Sequence, residues 1–66
     1  MNKKLLEYYM AKNNDSKVEL AEALEMSLQT LYRRMQSGSF SCPELKAIRD
    51  RYELSDNQFC EIFLVE

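Results

Sequence analysis

Histidine is absent from the sequence, and glycine and proline occur once each. With so few turn-forming residues the chain is poorly suited to β-hairpins, and its frequent Leu, Glu, Lys, Met and Ala favour helices. The lack of histidine excludes histidine-based catalysis and most zinc sites. The two cysteines, Cys42 and Cys60, match neither a metal-ligand spacing nor a disulfide framework. We therefore expect reduced thiols, no metal and no cofactor.

Long apolar runs are also missing, since none approaches the roughly 20 residues of a membrane span. The first apolar pair, Leu5-Leu6, is followed at once by Glu7, so we expect no signal peptide and no contact with a membrane. No glycine-rich phosphate loop is present, and the carboxylates are scattered over positions expected to be exposed. The sequence predicts a cytoplasmic protein that is not an enzyme, with no catalytic residues and no small-molecule ligand.

The chain has the length and composition of one small globular domain, which we assign to residues 1–66. It is 45% hydrophobic and 30% charged, which is typical of a folded rather than a disordered protein. A core of this size provides little net stability, so association between copies often adds to it.

The spacing of apolar residues predicts a series of short helices. The first runs from about Lys3 to Lys12, and Asn13-Asn14-Asp15 ends it. The second runs from Lys17 to about Leu24. The third begins after Ser27 and ends at Ser37-Gly38-Ser39.

Serines mark the helix starts, and two of them predict a fourth and a fifth helix. Ser16, Ser41 and Ser55 each open the S-x-x-E or S-x-x-Q pattern of a capping box. Three apolar pairs also have the spacing of a hydrophobic staple across a helix start. They are Met26 with Leu31, Phe40 with Leu45, and Leu54 with Phe59. Because both patterns agree, we predict an all-α fold, a compact five-helix bundle.

The run from Met26 to Pro43 contains no Asp or Glu, although the chain carries 11 acidic residues and a net charge of −2. The net charge does not indicate a nucleic-acid binder, since small DNA-binding domains are more often basic. The acid-free run, however, covers the third helix and the loop after it. Only Glu25 and Met26 separate the second helix from the Ser27 cap, and so short a turn is typical of a helix-turn-helix.

This region resembles a known family. The residues KVELAEALEMSLQTLYRRM are similar to the helix-turn-helix of Cro and phage-repressor-like regulators, and FSCPELKAIRDRYELSDNQFCEIFL resembles the last two helices of that family. The resemblance covers about residues 3–64. It implies a lambda-repressor-like transcription regulator of phage or prophage origin. The third helix, about residues 28–36, would lie in the major groove of an operator. The matching positions are Leu20-Ala21, Leu24, Ser27, Thr30 and Leu31.

Three positions depart from the family's pattern. The usual turn glycine is Glu25, which we expect in a left-handed conformation at a modest cost. The usual glutamine at the start of the second helix is Lys17, which keeps a donor for phosphate. Arg34 stands where the family is often apolar, so Met35 is expected to take over the buried position.

The side of the third helix that faces away from Leu31 and Met35 supplies the expected base contacts. A glutamine suits adenine and an arginine suits guanine O6 and N7, although both are also common on a plain solvated helix. A leucine here either touches a thymine methyl or lies at the edge of the core. A tyrosine either binds the DNA backbone or is a partly buried surface residue. The residues assigned to base contact are Leu28, Gln29, Tyr32, Arg33 and Gln36.

A second set of residues is expected to bind DNA phosphates because it flanks the third helix. Ser27 is also the expected N-cap of this helix, and Arg34 alternatively pairs with an acid. The two serines after the helix are equally compatible with a simple turn. The set is Lys17, Ser27, Arg34, Ser37 and Ser39.

The sequence EIFLVE carries more apolar residues than one face of the fifth helix buries in so small a domain. Phe63, Leu64 and Val65 are therefore expected to form a dimer interface. A homodimer, at least on DNA, would fit a double-stranded operator with two half-sites. Such a protein would associate with the nucleoid of a bacterial or phage-infected cell. The alternative is a protein-binding module on the same fold, such as a small inhibitor or an antitoxin-like partner.

Overall fold

The computed structural model describes residues 1–64, which form five α-helices and no strand. The all-α prediction is confirmed, and the second and third helices differ from their predicted ends by a single residue. The helices pack into a compact body with a radius of gyration of 10.7 Å. They are α1 (Lys3–Lys12), α2 (Lys17–Ala23), α3 (Leu28–Ser37), α4 (Cys42–Arg51) and α5 (Asp56–Phe63).

A polar side chain caps the first turn of each helix among the described residues. Four serines accept a hydrogen bond from the backbone N–H three positions later, as their sequence pattern predicts. Complete capping boxes form at Ser41 and Ser55. The capping box predicted at Ser16 is only half formed, because the Glu19 carboxylate accepts from the Ser16 hydroxyl instead of its backbone N–H. Asn2, which carries no such pattern, caps α1.

The core lies between all five helices, and each contributes at least one fully buried side chain. These side chains are Leu6, Leu20, Leu31, Met35, Ile48 and Ile62. Phe40 and Leu54, in the connections on either side of α4, are also buried. Leu24 is half-buried at the margin of the core, and Val18, an apolar position of α2, is 51% exposed.

The connection between α2 and α3 makes a tight turn at Glu25. Its φ of 57° lies in the left-handed region, as expected from its replacement of the usual turn glycine. The N–H of Met26 donates to the carbonyl of Ala21 at 3.0 Å and closes the turn. The side chain of Ala21 is buried, and α2 packs directly against α3.

Within residues 1–64, no helix combines the length and apolar character needed to cross a membrane.

Candidate nucleic-acid interface

The exposed face of α3 forms a polar ridge, defined here by Gln29, Arg33 and Gln36. Leu31 and Met35 bury the opposite face of the helix. Since each helical residue advances by about 100°, Arg33 lies directly opposite the midpoint between Leu31 and Met35. All three ridge residues are exposed, and none is acidic. The ridge therefore presents amide and guanidinium groups, which match the donors and acceptors on base edges.

One flank of the ridge carries Tyr32 and Lys17. The Lys17 ammonium lies 5.9 Å from the centre of the Tyr32 ring, which is close enough for a cation–π contact. The same ammonium pairs with Glu7 Oε2 at 2.9 Å. The hydrogen bond between them raises the pKa of Lys17 and lowers the pKa of Glu7. Lys17 is therefore charged, but it already has an intramolecular anionic partner.

The other flank contains an open concavity of about 360 Å³. Its lining combines two guanidinium groups with hydroxyl groups and contains no carboxylate. The chemistry of this surface suits an anion bound from outside. The lining residues are Thr30, Arg33, Arg34, Ser37 and Ser39.

Arg34, predicted to bind phosphate or an acid, is engaged within the protein. Its guanidinium Nη1 donates to the carbonyl of Ser39 at 3.1 Å and pairs with Glu44 Oε1 at 3.1 Å. The pairing with an acid was one of the two alternatives for this residue, and the structure contains it. Its side chain is only 34% exposed.

The serines predicted to contact phosphate also have partners in the protein. Ser27 caps α3 by accepting from the N–H of Thr30, and its hydroxyl donates to Thr30 Oγ1 at 2.8 Å. The Ser37 hydroxyl donates to the carbonyl of Arg33 at 3.0 Å. Donation from either serine to a phosphate would therefore require its hydroxyl to rotate. Ser39 is exposed at the rim of the concavity.

Leu28 and Phe63 are only partly accessible. Leu28 is half-buried and packs against the core, as its core-edge alternative describes. The ring of Phe63 lies 4.9 Å from the ring of Phe59 and 6.0 Å from that of Phe40, so Phe63 also packs inward. Leu64 is 68% exposed. Val65, the third predicted dimer residue, lies outside the described residues.

Two carboxylates on this surface were not singled out by the sequence. Glu7 pairs with Lys17 across the α1–α2 contact, and Glu44 pairs with Arg34 between α3 and α4. No local pattern marks Glu7. Glu44 was recognisable only as part of the capping box of α4. Both pairs form only once the helices pack, and they determine how much of each cation's charge is available to a ligand.

Comparisons of the chain with protein-family models, with curated proteins and with solved structures found no match.

Proposed function

We propose that this protein is a sequence-specific DNA-binding transcription regulator whose α3 lies in the major groove of an operator. The observation that supports this most strongly is the polar ridge of α3 within the acid-free run from Met26 to Pro43. A helix in the groove faces phosphates of both strands, so an exposed carboxylate there would be repelled. The chain carries 11 acidic residues elsewhere, and this distribution is what groove binding requires.

In this proposal α2 and α3 act as a helix-turn-helix. The tight turn at Glu25 and the packing of α2 on α3 support that assignment. The resemblance of the sequence to Cro and phage-repressor-like regulators supports it as well. The first helix of the pair would cross the DNA backbone while the second enters the groove.

The proposed contacts follow the three parts of the surface. The ridge residues Gln29, Arg33 and Gln36 read base edges, with arginine on guanine and glutamine on adenine. Lys17, with Tyr32 beside it, meets the phosphates on one side of the groove. The concavity with Ser37 and Ser39 meets those on the other side. Because the two flanks lie on opposite sides of the ridge, they match the two strands that border a major groove.

Regulation would be by occupancy, with the bound protein blocking or tuning RNA polymerase at a promoter in the cytoplasm. We propose that two copies bind as a homodimer on an operator with two half-sites. The exposure of Leu64 beside the half-buried Phe63 supports an interface at the end of α5.

A salt titration tests the proposal. Binding of the protein to a pool of random duplexes would be measured by fluorescence anisotropy between low and physiological salt, and the bound duplexes would be sequenced. We expect affinity to fall steeply with salt and one near-palindromic site to be enriched. A Lys46→Ala variant, changed at an exposed residue of α4 remote in sequence from the ridge, should recover the same site. Absence of binding at low salt would refute the proposal.

A second candidate is a protein-binding module on the same fold. The net charge of −2 and the 68% exposure of Leu64 favour it. This function does not require an acid-free ridge. It predicts that Leu64→Ala abolishes capture of a partner protein while Arg33→Ala has no effect on that capture. Base reading predicts instead that Arg33→Ala changes the operator preference.

A further inference from the structure

Arg34 contacts the turn between α3 and α4 through both its backbone carbonyl and its guanidinium group. The N–H of Gly38 donates to the Arg34 carbonyl at 2.7 Å, and Gly38 ends α3 in the left-handed conformation with φ of 72°. The Arg34 guanidinium then reaches over this turn to the carbonyl of Ser39 at 3.1 Å. One residue therefore fixes the backbone on both sides of the glycine.

Glu44 completes this arrangement from α4. Its Oε1 accepts from the N–H of Ser41 at 2.8 Å and also pairs with the Arg34 guanidinium at 3.1 Å. The carboxylate is only 17% exposed. The capping box of α4 is in this way joined to the last turn of α3 through a single oxygen atom.

Arg34 is poorly placed to bind phosphate itself. Its charge is offset by Glu44, and two protein acceptors already contact its Nη1. Arg33 differs, because within residues 1–64 it forms no ion pair and it is exposed on the ridge. A phosphate drawn to Arg34 would have to compete with a partly buried carboxylate at contact distance.

We infer that Arg34 and Glu44 are positioning residues that hold the loop 38–41, so that Ser39 meets the DNA backbone at the rim of the concavity. This inference rests on the proposed function. It assigns Arg34 to support of the loop instead of direct contact with phosphate. The length of an arginine suits the task, since Nη1 alone contacts both the Ser39 carbonyl and the Glu44 carboxylate. A lysine ammonium ends one bond short of that nitrogen and is less able to reach both acceptors.

The test compares Arg34→Lys, Glu44→Ala and the double variant on the enriched operator. A contact of Ser39 with phosphate is a hydrogen bond to a charged group, so its loss should weaken binding about tenfold. Since Ser39 is neutral and Arg34→Lys keeps the positive charge, the slope of affinity against salt should stay unchanged in that variant. The double variant should bind no more weakly than the weaker single variant, because both changes break one unit. Hydrogen exchange of the Ser41 amide should become faster in Glu44→Ala.

Gln58→Ala is the matched control. Gln58 completes the capping box of α5 as Glu44 completes that of α4, with an acceptor 2.8 Å from the Ser55 N–H. Its loss should lower stability to a similar extent without changing operator affinity at a temperature where each variant is folded. A fall in affinity equal to that of Glu44→Ala would reduce Glu44 to a purely structural role and overturn the inference.

Direct phosphate contact by Arg34 gives the opposite results. Glu44→Ala would then free the guanidinium and bind DNA as tightly as the unaltered protein or more tightly, which would overturn the inference while leaving the proposed function intact. Slow Ser41 exchange in Glu44→Ala would also overturn it. Failure of the unaltered protein to bind any duplex would refute the proposed function and this inference together.

Discussion

Asp15 and Arg51, 36 positions apart in the chain, form a two-pronged ion pair that joins the α1–α2 connection to the end of α4. Arg51 Nε donates to Asp15 Oδ2 at 2.8 Å and Nη2 donates to Oδ1 at 2.7 Å. The hydroxyl of Tyr52 also donates to Asp15 Oδ2. The Asp15 carboxylate is 5% exposed, so these three donors replace nearly all of its hydration.

Replacing Asp15 with asparagine should destabilise the fold by about 2 kcal/mol. The change leaves the Arg51 guanidinium and the buried Tyr52 hydroxyl without their charged acceptor, although Arg51 is one-third exposed and water recovers part of the loss. Urea unfolding at neutral pH measures the effect. The control is Asp56→Asn, whose carboxylate pairs with Arg49 but is 83% exposed, and it should change stability by less than about 1 kcal/mol. Equal effects of the two changes would contradict the buried role of Asp15.

Lowering the pH should remove the stabilisation that the ionised Asp15 carboxylate provides. The hydrogen bond from Arg51 lowers the pKa of this carboxyl in the folded protein, and the bond from Tyr52 lowers it further against the opposing effect of burial. The unfolded chain therefore takes up the proton first, near the usual aspartate pKa of about 3.9. The stabilisation is complete above that pH and is lost as the pH falls through the lower folded value. The difference in free energy of unfolding between the protein and Asp15→Asn, measured in urea, should shrink below about pH 4. A difference that stays constant down to about pH 2 would contradict the coupling of stability to protonation of Asp15.

Glu25→Gly should stabilise the protein by about 0.5 kcal/mol. A residue with a side chain is strained in the left-handed region, and glycine removes that strain. This gain exceeds the cost of the greater conformational entropy that glycine gives the unfolded chain. The φ of 57° at Glu25 is the structural basis. The matched change is Glu22→Gly, within α2, which should cost about 1 kcal/mol. The urea midpoints of the two variants should move in opposite directions.

The helices were predictable because their determinants are local. Ser41 and Ser55 each lie beside the residues they bond, so the capping boxes of α4 and α5 are visible in four letters. The left-handed turn at Glu25 was expected from the resemblance and is present. The exceptions depend on packing. Val18 is an apolar residue of α2 but is exposed, and Ser16 caps α2 without the complete capping box that its pattern predicts.

The ion pairs between residues far apart in the chain could not be predicted from local sequence patterns. Glu7 of α1 and Lys17 of α2 meet only in the folded chain, and Asp15 meets Arg51 across 36 positions. Helical periodicity placed Gln29 and Arg33 on the exposed side of α3, and the structure agrees. Periodicity carries no information about which neighbouring helix supplies a counter-charge, so it did not reveal that Lys17 is already paired.

Arg33→Ala should weaken binding to the operator by about 1–3 kcal/mol and relax the preference at one base position. Arg33 lies at the centre of the ridge, where a guanidinium reaches guanine O6 and N7. Sequencing of the duplexes bound by the variant would measure the preference. Lys46→Ala, which removes an equal charge from an exposed position of α4, should leave it unchanged. Weaker binding by Arg33→Ala with an unchanged preference would mean that Arg33 contacts the backbone.

Lys17→Ala should weaken binding to all DNA sequences alike and reduce the slope of log affinity against log salt by about one. The matched change is Glu7→Gln, which removes the anion 2.9 Å from the Lys17 ammonium but keeps the ammonium itself. Because a phosphate would no longer compete with a carboxylate, Glu7→Gln should bind all sequences more tightly and steepen the slope. Anisotropy titrations of one operator and one unrelated duplex, at several salt concentrations, measure both effects. Were Glu7→Gln instead to weaken binding, Glu7 would be orienting Lys17 towards the phosphate rather than competing with it. An unchanged slope in Lys17→Ala would remove Lys17 from the DNA contact altogether.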